Sequence, residues 1–213
     1  MRPDAFRTPC SFRGRWVELV PLARSHAAQL WETARRPEVM RYLRIGVPRV
    51  PADLDLVVDE LLALQTAGTD LPFTTRFRPT GEAIGMTRYL RIDRPNESVE
   101  IGGTWLDPAF WRTPVNTESK LLLLRHAFEG EGAHRVQLQT DSRNERSQTA
   151  IARLGAVREG VLREDALLPD GYRRSSVMFS ILVTEWPAVR TRLESMLERP
   201  WTPPARPPPA PGA

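Results

Sequence analysis

Two stretches of the chain put side chains and backbone donors where a strand hands over to a helix. The first is Asp107–Asn116, D-P-A-F-W-R-T-P-V-N, which follows the β-branched and aromatic run Val99–Leu106 and precedes the apolar Leu121–Leu124. A helix beginning there aims unpaired N–H groups and its positive dipole end at the strand tip. That is a seat for an anion such as a pyrophosphate. Thr113 reads as its N-cap with Pro114 at the first helical position, and Asn116 or Thr117 is the alternative one turn later. The second stretch is Asp141–Gln148, D-S-R-N-E-R-S-Q. Asn144 fits an N-cap there. Ser147 falls on one helix face with Ile151 and Leu154, so its hydroxyl is expected to face the sheet. It can donate to a leaving group, or bond back to its own helix.

Two such connectors act together when their strands are parallel neighbours. Both helices then begin at the same sheet end, where ligands of open α/β sheets lie. The elements around them follow from periodicity. Trp16–Val20 reads as a strand ended by Pro21, and Ser25 as the cap of a helix through Leu30 and Trp31. Pro37–Leu43 reads as a short helical turn, and a helix runs from Asp53 to Gly68. Strands follow at Phe73–Arg78 and Ala83–Ile92, around Pro79-Thr80-Gly81-Glu82. Past the first connector come a buried helix, an alternating strand Arg135–Thr140, and a helix Asn144–Leu154 stopped by Gly155. Val157–Leu168 and Tyr172–Val183 form a hairpin around Pro169-Asp170-Gly171, and Thr184 caps a last helix. The order β-α-α-β-β-β-α-β-α-β-β-α is an α/β (α+β) pattern with a mixed sheet and two β-α-β crossovers. Residues 1–14 read as a flexible leader, 15–198 as a single domain and 199–213 as a proline-rich disordered tail.

Composition narrows the classes of function. None of the 213 residues belongs to an apolar run approaching the roughly 18 of a membrane span, and Met1–Arg15 lacks the apolar core of a secretory signal. A cytoplasmic protein is expected, without membrane partners. The single cysteine, Cys10, suits a reducing compartment. His26, His126 and His134 have no metal-site spacing, so no metal is expected. Lys120 is the only lysine. The pI is about 9.9 but the net charge is only +4, and the arginines are interleaved with acids along the chain. Direct nucleic-acid binding is not expected from that distribution.

These residues resemble the GCN5-related N-acetyltransferase (GNAT) superfamily, and within it the RimJ/RimL-like branch of ribosomal-protein N-terminal acetyltransferases. The resemblance is carried by E-I-G-G-T-W-L-D-P-A-F-W at Glu100–Trp111, T-E at Thr117–Glu118, H-A-F-E at His126–Glu129 and D-S-R-N-E-R-S at Asp141–Ser147. R-L-G-A at Arg153–Ala156, E-G-V-L-R at Glu159–Arg163 and D-G at Asp170–Gly171 extend it, so that it runs from about Arg15 to Leu197. It implies a mostly antiparallel sheet with one splayed parallel pair and helices on both faces. It also implies acetyl-CoA as cofactor, with the pantetheine arm pairing to Thr104, Trp105 and Leu106. The pyrophosphate would lie on the backbone of Arg112, Thr113, Val115, Asn116 and Thr117. Asn144 and Ser147 match the positions that approach the sulfur, the serine being the acid that protonates it. The family's loop carries glycines where this chain has Arg112 and Pro114, and a later acid, the base in some members, falls at Ala166.

The implied activity is transfer of an acetyl group to a primary amine by direct attack in a ternary complex. An amine of pKa near 10 is almost wholly protonated at pH 7, so a proton acceptor is required. Glu100 on the central strand is the first candidate. On strict alternation it shares a face with Thr104 and Leu106, unless a bulge at Gly102-Gly103 intervenes. The acceptor amine is expected to be a protein N-terminus, a ribosomal protein's among them, or a small amine, with a homodimer left open. The rival reading is a CoA-binding module with weakened catalysis and a regulatory role, motivated by the missing loop glycines.

Overall fold

The computed structural model describes residues 1–203. In these, an eight-stranded sheet has the order β1-β2-β3-β4-β5-β6-β8-β7. Its strands are β1 (Phe12–Arg13), β2 (Val17–Pro21), β3 (Leu71–Phe77), β4 (Glu82–Asp93), β5 (Ser98–Leu106), β6 (Arg135–Asp141), β7 (Val157–Leu167) and β8 (Arg173–Leu182). All neighbours are antiparallel except β5 and β6. The helices are α1 (His26–Ala34), α2 (Pro37–Met40), α3 (Pro51–Thr66), α4 (Pro114–Arg125), α5 (Glu145–Leu154) and α6 (Trp186–Leu197). The first three pack with Met86 and Trp105 on one sheet face, and the last three with Tyr89, Val99 and Ile101 on the other. The expected mixed sheet with helices on both faces is the one observed.

The expected crossovers differ from each other. β5-α4-β6 makes a parallel pair, whereas the chain leaving β6 through α5 passes over β8 to reach the edge strand β7. Some helix starts also move. Ser25 makes no side-chain cap, because the N–H groups of His26 and Ala27 already bond to Ala23 and Arg24 carbonyls in a preceding turn. α3 begins two residues before Asp53, whose carboxylate instead accepts from the Arg49 and Val50 N–H groups. Glu185, not Thr184, precedes α6, and its side chain accepts from the Leu182 N–H at 2.8 Å.

The segment expected as a loose leader is packed. Phe6 is 2% exposed and sits edge-on to Tyr89, and Phe12–Arg13 pairs with β2. At the other end, Trp201 lies edge-on to Trp16 with ring centroids 4.9 Å apart, so the start of the proline-rich stretch is anchored. The rest of that stretch, residues 204–213, lies outside the described residues.

α4 is covered on nearly all sides. Leu123 and Leu124 are fully buried, each stabilising the fold by roughly 2 kcal/mol. Three consecutive polar residues, Glu118, Ser119 and Lys120, are buried on the same helix. Glu118 accepts from the N–H groups of Arg15, Trp16 and Val17 at 2.6, 2.7 and 2.8 Å, closing the start of β2. Ser119 bonds back to the Val115 carbonyl. Lys120 points toward β5.

Candidate active site

β5 and β6 stay paired only from Ser98–Arg135 to Glu100–Gln137. Beyond that, each keeps its outer neighbour, β5 as far as Leu106–Gly85 and β6 as far as Asp141–Ser176, and the two separate. A bulge in β5 helps to turn it away: Gly102 pairs with Arg88 and Trp105 with Met86, so three steps on β5 oppose two on β4. Gly103 takes φ +56° at the bulge, a conformation that favours glycine. Gly85 lets the strands close up, since a Cβ there would meet the Trp105 carbonyl at 2.1 Å. The separation opens a cavity of about 780 Å³ that runs through the sheet, from α5 and the start of α4 to Tyr42 and Leu43 just after α2.

The bulge corrects strict alternation. Glu100, Gly102 and Trp105 share the face toward α1–α3, while Ile101, Thr104 and Leu106 share the face toward α4. Glu100 and Thr104 therefore flank the gap from opposite sides. Glu100 is 1% exposed and accepts from Gln139 Nε2 at 2.9 and 3.0 Å, with Arg91 Nη1 at 3.2 Å. Burial raises its carboxyl above the ordinary carboxylate range, against the pull of Gln139 and Arg91.

The first connector is rigid. Asp107 caps a 3₁₀ turn at Pro108–Phe110 by accepting from the Ala109 N–H, and the Trp111 indole donates to the Leu106 carbonyl at 2.9 Å. Asp107 N–H bonds to the Ile84 carbonyl, so the Leu106 N–H points the other way, toward the gap. Thr113 is the N-cap of α4 and Pro114 its first residue, as its sequence suggests. Arg112 takes the backbone place of the missing glycine, with φ +61°. The loop therefore has a left-handed residue there and carries the strain of a side chain. Arg112→Gly is expected to stabilise the fold by about 1 kcal/mol and to weaken binding of a phosphate-bearing ligand, read by thermal melts and calorimetry respectively.

Asn144 caps α5, its side-chain oxygen accepting from the Ser147 N–H at 3.0 Å. The Ser147 hydroxyl makes no hydrogen bond among the described residues, and Ser147 lines the cavity. Burial works against the charge of Asp141, yet Arg143 holds it below the usual carboxylate range, fixing the strand tip before that cap. Arg112, Arg146 and Arg153 line the cavity near the start of α4, Arg146 stacked on Trp111 with its guanidinium 3.4 Å from the ring centre.

Thr104, Trp105, Leu106, Arg112, Thr113, Asn116, Asn144 and Ser147 all line this one cavity. Val115 and Thr117 do not: Val115 packs into the core beside Leu106 and Phe110, and the Thr117 hydroxyl receives Arg153 at 3.3 Å. Lys120, to which sequence reasoning assigned no role, lines the cavity, is 5% exposed and donates to Thr104 Oγ1 at 2.8 Å. Burial lowers its pKa to about 7, against the pull of Glu100. Its signal in the sequence was a lone lysine in an otherwise buried helix.

This donor set fits acetyl-CoA. Arginines and helix N–H groups lie at one end for phosphates, two unpaired strand edges suit an amide-bearing arm, and the volume lies in the usual range for ligand sites. The chain matches the Acetyltransferase (GNAT) domain family over residues 17–157 and belongs to that family. A protein of T. thermophilus, its crystal structure described provisionally as an acetyltransferase, is 41% identical and superposes with a TM-score of 0.82, covering 89% of this chain and 98% of that one. YdaF of Bacillus subtilis, provisionally named a ribosomal N-acetyltransferase, is 31% identical over 106 residues. That match takes in 50% of this chain and 57% of YdaF, so the chain spans little more than half of this curated relative. RimJ of Mycobacterium smegmatis, solved with CoA-disulfide, shares the fold with a TM-score of 0.72 at 22% identity, covering 87% of this chain and 91% of RimJ. Among the described residues no helix is long and apolar enough to cross a membrane.

Proposed function

We propose that the protein is an acetyl-CoA-dependent N-acetyltransferase that acetylates a primary amine, a protein N-terminus or a small amine, in a ternary complex. The observation that carries this reading is the gap between β5 and β6, open to both sheet faces and flanked by a buried carboxylate and an inward hydroxyl. Acetyl-CoA, when bound, supplies an activated acyl thioester. Arg112, Thr113 and Asn116 at the start of α4, with Arg146 and Arg153, would hold its phosphates, and Thr104–Leu106 its pantetheine arm. Glu100 faces the α1–α3 side, where Tyr42 and Leu43 shape the acceptor entrance, and takes the proton of the incoming ammonium directly or through water. Burial makes it a stronger proton acceptor than an ordinary carboxylate. The Leu106 N–H is aimed at negative charge developing in the gap. Asn144 sets the first turn of α5, and Ser147 gives its proton to the departing sulfur.

A ribosomal acceptor is favoured by the name YdaF carries. Thiol release from acetyl-CoA tests the reading, measured against ribosomal-protein N-terminal peptides, polyamines and amino acids. Release with at least one of them, with a matching acetylated product, is expected. No heat on titration with coenzyme A would overturn it; binding without release from any acceptor would favour the regulatory module. Ser147→Ala is expected to lower kcat about 100-fold with little change in KM for acetyl-CoA, and an unchanged kcat removes the acid role.

A further inference from the structure

The chain has a single lysine, set in the middle of α4 beneath the point where β5 loses β6 as a partner. An ammonium carries three donors and no acceptor. One goes to Thr104 Oγ1, which is itself held by Thr87 Oγ1 at 2.8 Å. Among the described residues Lys120 makes no second hydrogen bond and no ion pair, although it lines the cavity and is almost wholly buried. A buried cation with one neutral partner is costly unless something else meets its remaining donors. Its site adjoins Thr104, on the α4 face of the open β5 edge.

We propose that Lys120 is a binding residue whose ammonium donates to a carbonyl oxygen of the acyl-pantetheine arm held along β5. The assignment rests on the CoA reading above and adds a contact outside the strand backbone and the phosphate seat. The residue type suits the task. Arginine stays charged, whereas burial brings lysine to about pH 7, so that it can sit nearly neutral in the free site and recover its proton against a carbonyl. Binding above pH 7 then takes up a proton, and the Lys120 contribution to affinity fades as pH rises through the pKa of the complex. The other charged groups lining the cavity are Glu100 across the gap, Arg44 after α2, Arg88 on β4, Arg112 on the connector, Glu145, Arg146 and Arg153 on α5, Asp141 at the tip of β6 and Arg174 on β8. Arg143 holds Asp141 low, whereas burial raises Glu100, so the uptake that belongs to Lys120 is the part that disappears in Lys120→Met.

Calorimetry on the full chain tests this with three ligands: coenzyme A, acetyl-CoA, and adenosine 3′,5′-bisphosphate, which lacks the arm. In Lys120→Met the Kd for both arm-bearing ligands is expected to rise at least ~10-fold, with that for the bisphosphate unchanged. Equal losses for coenzyme A and acetyl-CoA assign an amide carbonyl, and a greater loss for acetyl-CoA assigns the thioester carbonyl. Unchanged affinity for both, or an equal loss for the bisphosphate, overturns the proposal. At pH 8, titrations in two buffers of different ionisation enthalpy should show proton uptake by the wild type that Lys120→Met or Lys120→Gln lacks. Absence of uptake by the wild type overturns the proposal even if neither variant folds. A wild type that binds no coenzyme A fails the functional reading itself, a result distinct from either of these.

Discussion

Glu118→Ala is expected to destabilise the protein by about 4 kcal/mol, lowering the thermal midpoint by roughly 10 °C. One side chain accepts from three successive backbone N–H groups, those of Arg15, Trp16 and Val17. Hydrogen bonds to a charged group are worth about 1.5–3 kcal/mol each, and a buried donor left unpaired adds its own desolvation cost. Val17 is fully buried and has no water to turn to, whereas Arg15 and Trp16 are partly exposed and recover some of the loss. Gly14 belongs to the same arrangement, since a Cβ there would lie 2.4 Å from the Glu118 carboxyl carbon. Denaturant unfolding reads the effect directly. A change under about 1 kcal/mol would mean that the start of β2 is held by its sheet partners alone.

Lys120→Met, two positions further along α4, is expected to have the opposite sign. The lysine titrates near pH 7 in the folded chain against 10.5 for the free side chain, so burial of its charge costs on the order of 5 kcal/mol at low pH. The folded pKa is the lower of the two, so the unfolded chain binds more protons between them. Stability of the wild type therefore rises with pH from about 7 to about 10.5. Methionine carries no such cost. Allowing about 1 kcal/mol for the lost bond to Thr104, the variant is expected to be more stable by about 4 kcal/mol below pH 7 and to lose that advantage above pH 10. Urea unfolding at pH 6, 8 and 10 tests the slope. A stability difference that does not change with pH would mean that Lys120 stays charged when buried. Paired with weaker binding of coenzyme A, a stabilised variant would mark Lys120 as a residue kept for its site at the expense of the fold.

The caps and strand tips of the site were legible residue by residue. Thr113 before Pro114, and Asn144 three residues before Ser147, are hydrogen-bonding patterns completed within one helical turn. Residue type and spacing therefore place Asn144 and leave Thr113 beside Asn116 or Thr117 as the cap of α4, between which the structure chooses Thr113. The succession of strands and helices along the chain followed from periodicity for the same local reason, whereas helices on both sheet faces were implied by the family resemblance. Arg112 was readable only as a departure from a family pattern; its left-handed backbone depends on the connector being pinned at both ends by Asp107 and Thr113.

What the tertiary structure decided lies where two distant segments meet. Glu100 and Thr104 stand four residues apart on one strand and would share a face, yet the bulge against β4 sends them to opposite sides of the gap. Phe6 and Trp201 looked like parts of loose ends, and are held because Tyr89 and Trp16 offer them aromatic edges. Lys120 looked like one cation among thirty. Its burial, and with it the one side-chain amine in the described cavity lining able to shed a proton near neutrality, exists because β5 lies over its helix, a relation between residues brought together by folding and invisible to any window of sequence.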